Sequence, residues 1–295
     1  MSDLNEWQLA YSGISPFTFG TLASDYPFQS QVDITEADGV FQDSDHPNSD
    51  GAVMGIDRLG GRTITFDCKV PPEYWRVVEG DKWAAPMDLF NVFAARWRAD
   101  SIRRKVGTYA TLVNVNRSRL VFGRPRKCAP KYERARKGEV SWVADFRTVD
   151  PNFYSAEEYY LNIGAGDVVS NSALSSGFVG GALQPGGTKQ TWEQSEVHPG
   201  ELDTWVVVEF GGAGTVTCST MSGSVIWELT SSKGNVNVDT RPWSRSVRTT
   251  GGGPANGYVT GTRIDLCKIP PGQFKLRFLG NGTTRVKWRE AYAAL

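Results

Sequence analysis

The sequence has few of the side chains from which metal centres and redox sites are built. Its 295 residues include only two histidines, His46 and His198, so a site with several histidine ligands is excluded. The four cysteines form no CxxC pair and stand at positions 68, 128, 218 and 267. Such spacing is typical of neither zinc sites nor redox motifs. We therefore expect buried apolar cysteine side chains, no disulfide and no cofactor.

A basic amino-terminal segment and a long apolar run are also missing. The first lysine or arginine is Arg58, and no apolar stretch approaches the roughly 20 residues that a membrane-spanning helix needs. Export signals combine a basic segment with an apolar one that follows it. The sequence therefore predicts a soluble protein with no export signal and no membrane partner.

No catalytic motif stands out. Neither histidine lies near a G-x-S-x-G sequence, and Gly211–Gly214 lacks the Lys-Ser/Thr ending of a phosphate-binding loop. The aspartate-rich loop Asp43–Asp50 offers oxygen atoms to calcium, but its glycine and glutamate spacing does not match an EF-hand. We interpret it as a solvated loop without metal, and we expect no enzymatic activity.

The pattern of apolar residues predicts a mainly β fold, with one helix in the first half of the chain. Apolar and polar residues alternate, as in half-buried strands, over residues 7–11, 63–70, 109–115, 120–122 and 140–148. After Pro86, which suits the first turn of a helix, Phe90, Phe93 and Trp97 recur at helical spacing. These residues predict one amphipathic helix over 86–104 that packs on the sheet.

The second half predicts a separate β-sandwich or jelly roll. Short alternating runs are separated by Gly, Asn and Pro turns, at residues 204–210, 215–220, 224–230, 235–240, 273–279 and 284–292. Seven glycines lie between residues 164 and 190, where no period is visible. We therefore expect a first domain over 1–160, a Gly/Ser-rich linker over 161–190 and a second domain over 191–295.

The formal net charge is zero, but the charges are segregated along the chain. Residues 1–95 contain 15 acidic and 5 basic side chains, whereas residues 96–137 contain 14 basic and 2 acidic ones. The basic part includes a hairpin-like segment over 117–137, with Arg117, Arg119, Arg124, Arg126, Lys127, Arg134, Arg136 and Lys137.

Three interpretations of this basic segment are open. It is a solvated loop, a contact with an acidic protein surface such as that of a neighbouring identical subunit, or a nucleic-acid contact. Tyr132 is the only aromatic residue in its densest part, which disfavours single-strand binding. We predict the eight basic side chains as subunit-interface residues, and we expect no recognition of nucleic-acid sequence.

Tryptophans in the second domain offer a different kind of surface. Trp205 and Trp227 lie inside alternating runs, so we expect them in the core. Trp192 and Trp243 lie nearer turns, and for them both core packing and stacking on sugar rings are open. If exposed, these two side chains are candidate glycan-binding residues.

Short motifs along the chain carry a family resemblance. They are Gly20, Asp25–Pro27, Val32, Gly60–Asp67, Asp150–Tyr154, Val238–Arg241, Ile269–Leu276 and Val286–Tyr292. In this order and spacing they resemble the distal tail proteins of siphoviruses over nearly the whole chain. Residues 164–187 and 192–200 depart from that family's pattern.

The resemblance implies a structural virion protein and no enzyme. In that family, a first β domain with one helix forms a sixfold ring below the tail tube, and a galectin-like β-sandwich points outward. This implies a homo-oligomeric ring, expected to be a hexamer, at the tail tip of a long-tailed phage, assembled in the host cytoplasm. Expected partners are the tail tube protein, the end of the tape-measure protein and tail-tip hub or receptor-binding proteins. The alternative is a carbohydrate-binding module that recognises host cell-wall glycans.

Overall fold

A computed structural model describes residues 6–40, 43–45, 52–53, 58–70, 84–131, 140–164 and 190–295. The chain divides into two units. The first unit comprises Met1–Ala156 with Ala293–Leu295, and the second comprises Glu157–Tyr292. Antiparallel strands dominate both, which confirms the mainly β fold class. Within the described residues, no helix has the length and apolar character needed to cross a bilayer.

The first unit is built on one antiparallel sheet. Its elements are β1 (Trp7–Ala10), β2 (Phe17–Phe19), β3 (Gln29–Ile34), β4 (Gly39–Val40), β5 (Ser44–Asp45), β6 (Ala52–Val53), β7 (Arg58–Leu59), β8 (Thr63–Lys69), α1 (Ala84–Trp97), α2 (Asp100–Arg103), β9 (Ala110–Asn114), β10 (Arg119–Lys131), β11 (Ser141–Thr148) and β12 (Phe153–Ser155). The strand order is β2-β1-β9-β10-β11-β8-β3, and β12 also pairs with β10. The short strands form two separate ladders, β4 with β7 and β5 with β6.

Aromatic side chains fill the space between this sheet and α1. Phe93 of the helix is fully buried, and its ring lies 5.0 Å from that of Phe28 and 5.5 Å from that of Phe19. Trp97, one helical turn further, packs edge-on against Phe66 of β8 at 5.9 Å. The apolar face predicted from the helical spacing is therefore the face that covers the sheet.

The single helix predicted over 86–104 is wrong in its bounds, because the structure has two helices with a break between them. Ala99 adopts a left-handed conformation with φ of 48°, which ends α1 before α2 begins. Trp97 and Ile102 are both buried. Residues five apart point roughly 140° away from each other on a continuous helix, so the break lets both reach the core.

The basic segment predicted as a hairpin over 117–137 contains one long strand instead, β10, which runs over residues 119–131. This strand crosses the middle of the sheet between β9 and β11. Pro125 pairs with Phe146 and Cys128 with Ala144, so one extra residue bulges out of β10 between them. Proline is tolerated at such a bulge because no ladder hydrogen bond from its nitrogen is required. Residues 132–139 lie outside the described part of the chain.

The second unit contains two antiparallel sheets. Its strands are β13 (Tyr159–Gly164), β14 (Gln190–His198), β15 (Thr204–Phe210), β16 (Gly214–Thr220), β17 (Val225–Ser231), β18 (Val236–Asp239), β19 (Ser246–Thr249), β20 (Val259–Gly261), β21 (Lys268–Ile269), β22 (Gly272–Gly280), β23 (Thr283–Trp288) and β24 (Ala291–Tyr292). One sheet has the order β13-β23-β15-β18-β19, with β21 beside β15, and the other has the order β14-β22-β16-β17-β20.

Buried side chains from both sheets form one core, as expected for a β-sandwich. Trp227 is fully buried in it, as predicted. The core position predicted for Trp205 is wrong. Thr204, Val206 and Val208 take the buried positions of β15, so Trp205 faces outward, where the Lys268 ammonium lies 4.3 Å from its ring.

The cysteine thiols are free. Cys68, Cys218 and Cys267 are buried as expected, whereas Cys128 on β10 is only half-buried. Burial raises the pKa of Cys218 and Cys267 to about 12, which keeps both thiols protonated at neutral pH.

The region predicted as a linker over 161–190 begins within a strand. Residues 161–164 belong to β13, which pairs with β23 along its whole length. Its Leu161 and Ile163 side chains are buried in the sandwich core. At the carboxyl end of the predicted linker, strand β14 begins at Gln190. Residues 165–189 lie outside the described part of the chain.

We predict that Phe93→Ala lowers the free energy of unfolding of the first unit by about 3–5 kcal/mol, because it leaves a cavity in the aromatic cluster. Chemical denaturation of the full chain measures this effect. The neighbouring Val92 is 53% exposed, so Val92→Ala is the matched control and should change stability by less than about 0.5 kcal/mol. Equal effects of the two substitutions would contradict the packing of α1 described above.

Candidate functional site

The structure separates the predicted interface residues into different places. Arg117 is exposed in the turn between β9 and β10, and Arg119 donates a hydrogen bond to the carbonyl of Ala294 at 2.5 Å. Arg124, Arg126 and Lys127 lie further along β10, beside α2. The remaining three predicted residues, Arg134, Arg136 and Lys137, lie outside the described residues.

Hydrogen bonds connect the segment around Arg124 with Arg103 and Lys105, two basic residues outside the eight predicted interface residues. The Arg124 guanidinium donates hydrogen bonds to the carbonyls of Lys105 at 2.5 Å and Thr108 at 2.7 Å. In return, Arg103 of α2 donates to the carbonyls of Pro125 at 2.9 Å and Arg126 at 2.5 Å. These reciprocal bonds fix the turn after α2 against the bulge of β10, and thereby hold two basic segments together.

We call the resulting cluster the basic surface. It consists of Arg103, Arg104, Lys105, Arg124, Arg126 and Lys127. Five of its side chains are exposed and Arg124 is half-buried. The bulge explains the exposure of Arg126 and Lys127, since both residues stand where the ladder with β11 is interrupted.

The basic surface is crowded with like charge. Partial burial lowers the pKa of Arg103, and the neighbouring Arg126 lowers it further. Among the described residues nearby, Asp100 forms its ion pair with Arg98, at 3.3 Å. Val106, which directly follows the basic run in the same turn, is fully exposed. A cationic cluster beside an exposed apolar side chain suits contact with an acidic protein surface.

Acidic side chains lie at one edge of the same sheet. β3 is the terminal strand, so one side of its backbone has no neighbour within the sheet of described strands. Asp33 on β3 and Glu36 just after it are exposed, and neither forms an ion pair with a described residue. We call these two residues the acidic edge. Asp38, which follows, is paired with Arg147 of β11.

The two candidate glycan-binding tryptophans lie on the second unit. Trp192 of β14 is half-buried, packs against the sandwich core and has its indole nitrogen buried. Trp243 lies in the turn after β18, is also half-buried and has a buried indole nitrogen. Only part of each ring is accessible to a ligand, and stacking on sugars stays a prediction for both.

The histidines occupy structural or undescribed positions. His198 is fully buried, and its ring nitrogens bond to the carbonyl of Leu202 at 2.9 Å and the N–H of Gly200 at 3.4 Å. Burial lowers its pKa, which favours the neutral form. His46 lies with most of the loop 43–50 outside the described residues. Among the residues that are described, no group of three or more His, Cys, Asp or Glu is placed to hold a metal ion.

Sequence reasoning missed Arg103, at the end of α2, and Arg104 and Lys105, in the turn after it, as members of the site. They belong to the same basic stretch, 96–137, whose charge is visible in the sequence. The composition of this stretch shows its positive charge. It does not reveal the register of β10, which places the bulge against the turn after α2.

Comparison of the whole chain with solved structures identifies its fold. The crystal structure of the Dit protein of phage SPP1, described as a paradigm of the hub adsorption apparatus in phages infecting Gram-positive bacteria, matches with a TM-score of 0.54 and 14% sequence identity. The match covers 97% of this chain and 98% of that one. The chain has the fold of a phage tail hub protein. The fold implied by the resemblance to siphovirus distal tail proteins is thereby confirmed.

Two weaker similarities accompany this match. Structures of the phage p2 baseplate in its activated conformation, with strontium and with calcium, match with TM-scores of 0.47 and 0.45 and 11% identity each. Each covers 98% of this chain and 99% of the other. No protein-family model and no curated protein matches the sequence. The assignment of the hub fold therefore rests on the SPP1 structure.

We predict that Arg124→Ala loosens the turn between α2 and β9, because the carbonyls of Lys105 and Thr108 lose their donor. Stability of the first unit should fall by about 1–3 kcal/mol, and amides of residues 104–108 should exchange hydrogen faster. Hydrogen exchange followed by mass spectrometry measures this. Lys127→Ala, which removes an exposed charge from the bulge, is the control and should leave exchange in the turn unchanged. Identical exchange in both variants would show that Arg124 does not brace the turn.

Proposed function

We propose that this protein is a structural component of a long-tailed phage tail tip, a distal tail protein that assembles with copies of itself into a closed ring. The observation that carries the proposal is the hub fold, because the match to the SPP1 hub protein extends over both units of the chain. The ring joins the tail tube to the tail-tip apparatus, and its partners are the tube protein, the end of the tape-measure protein and the tip proteins. Its role is structural and involves no catalysis.

The arrangement of charge supports a ring. In a cyclic assembly, one patch of each subunit meets a different patch of the next, so the two patches must be complementary and separate. The basic surface and the acidic edge meet both conditions. Because β8 and β11 stand between β3 and β10, at least three strand spacings, roughly 14 Å, separate the two patches across the sheet.

The chemistry of the interface follows from this pairing. Arg126 and Lys127 at the bulge of one copy face Asp33 and Glu36 at the acidic edge of the next. The unpaired backbone of β3 adds hydrogen-bonding groups beside these charges. Opposite charges steer the encounter and set its register, while burial of apolar groups such as Val106 strengthens the contact. A ring of six subunits is the stoichiometry that we propose.

We predict that Arg126→Glu combined with Lys127→Glu prevents ring assembly, because two like-charged patches then meet. Light scattering at low and high salt measures the mass of the assembly against the 32.4 kDa of one chain. Arg245→Glu with Arg277→Glu makes the same charge change at exposed positions of the second unit, and this control should assemble normally.

A charge swap distinguishes a lost interface from a damaged fold. Adding Asp33→Lys and Glu36→Lys to the basic-surface variant restores opposite charges and should restore assembly. A protein that stays monomeric at every salt concentration, even with the tail tube protein present, would contradict the proposal. So would a basic-surface variant that assembles as well as the unchanged protein.

A further inference from the structure

The outward face of one sheet in the second unit carries an ordered row of polar side chains. Asn162 of β13 stands opposite Arg285 of β23, which stands opposite Glu209 of β15. Glu209 in turn stands opposite Asn237 of β18, and Asn237 opposite Arg248 of β19. Five residues from five strands thus form one line across the sheet, roughly 19 Å long.

Two cavities lie along this row, with volumes of 280 Å³ and 400 Å³. Both are lined by Glu209, Asn237 and Thr250, so they are neighbouring parts of one groove. Small-ligand sites typically have volumes of about 300–1,000 Å³. The larger cavity lies within this range, and the smaller one lies just below it. We call this region the polar groove.

Several side chains of the polar groove are held in place by bonds to each other. Glu209 accepts a hydrogen bond from the Lys287 ammonium at 2.5 Å, and Asn162 accepts one from Arg285 at 2.7 Å. Asp239 and Arg241 share two hydrogen bonds, at 2.9 and 2.6 Å. A ligand therefore meets groups whose positions are already fixed, which reduces the entropy lost on binding.

Two groups of the row retain binding capacity. The amide of Asn237 is half-buried in the middle of the row and forms no side-chain hydrogen bond with a described residue. The guanidinium of Arg248 is exposed and forms no ion pair within the described residues. Both groups are planar and present adjacent polar atoms, which suits paired hydroxyl groups on a ligand.

An aromatic ring stands beside the row. Tyr160 lies two residues before Asn162 on the same face of β13 and is 61% exposed. The Arg285 guanidinium lies 5.2 Å from the centre of this ring. An exposed ring next to planar polar groups offers an apolar platform and hydrogen bonds to the same ligand.

We propose that the polar groove binds a short saccharide, whose hydroxyl groups bond to Asn237 and Arg248 and one of whose sugar rings stacks on Tyr160. The groove's four cations and three carboxylates nearly cancel, which disfavours a polyanion such as nucleic acid. Its apolar lining is limited to Val207 and Phe210, whereas the centre of a protein interface is depleted of charge. A hydroxyl-rich ligand fits this lining better than a polyanion or a protein surface does.

The test is binding of the full-length protein to an array of short oligosaccharides, followed by calorimetry with the strongest binder. We expect at least one oligosaccharide to bind. Asn237→Ala and Tyr160→Ala should each weaken that binding about tenfold or more. Asn256→Ala removes an exposed asparagine outside the groove and should have no effect. Trp192→Phe, which alters the other sheet, should also have none.

The outcomes separate this proposal from the proposed function. Light scattering of the groove variants should show unchanged assembly, since the groove shares no residue with the basic surface or the acidic edge. Absence of binding to every oligosaccharide would overturn the proposal, as would binding that Asn237→Ala and Tyr160→Ala leave intact. Capture of a protein partner through the groove, with no saccharide bound, would likewise overturn it.

Discussion

The sheets of both units depend on the two-residue period of the β-strand, which sends alternate side chains to opposite faces of a sheet. On β15, Val206, Val208 and Phe210 enter the sandwich core, and this leaves Val207 and Glu209 on the outer face. A shift of one residue in pairing would exchange the two sets and place charge in the core. The core thereby fixes the register, and the register aligns the polar groove.

The basic surface depends on an interruption of the same period. The extra residue in β10 releases Arg126 and Lys127 from the ladder, while the backbone around them stays bonded to Arg103. Without the bulge, consecutive side chains would alternate between the two faces of the sheet, and one of this pair would point into the unit. A local defect in pairing thus creates a continuous cationic surface from two segments of the chain.

Sequence reasoning succeeded where a local pattern determines the structure. Alternation located β8, β11 and β15 to within a residue or two, and helical spacing identified the buried face of α1. It failed at Ala99, because alanine favours helix and gives no sign of a break. It also missed β14, whose polar residues on both faces hide the alternation, and shortened β10, whose prolines and arginines are typical of a loop.

The candidate sites were less predictable than the fold. The charge segregation of residues 1–95 and 96–137 pointed to a basic surface and an acidic one. Only the pairing of strands determines which residues share a surface. It places Arg103 beside Arg126 on the basic surface and leaves Arg117 and Arg119 outside that surface. The polar groove was invisible for the same reason, since its five aligned residues come from segments scattered between β13 and β23.

Electron microscopy of the purified full-length protein tests the central claim most directly, because it shows both symmetry and connectivity. The account predicts closed rings of identical subunits with an open centre, in which the first unit of each copy contacts the first unit of the next. Class averages that show isolated monomers, or open chains without closure, would contradict it.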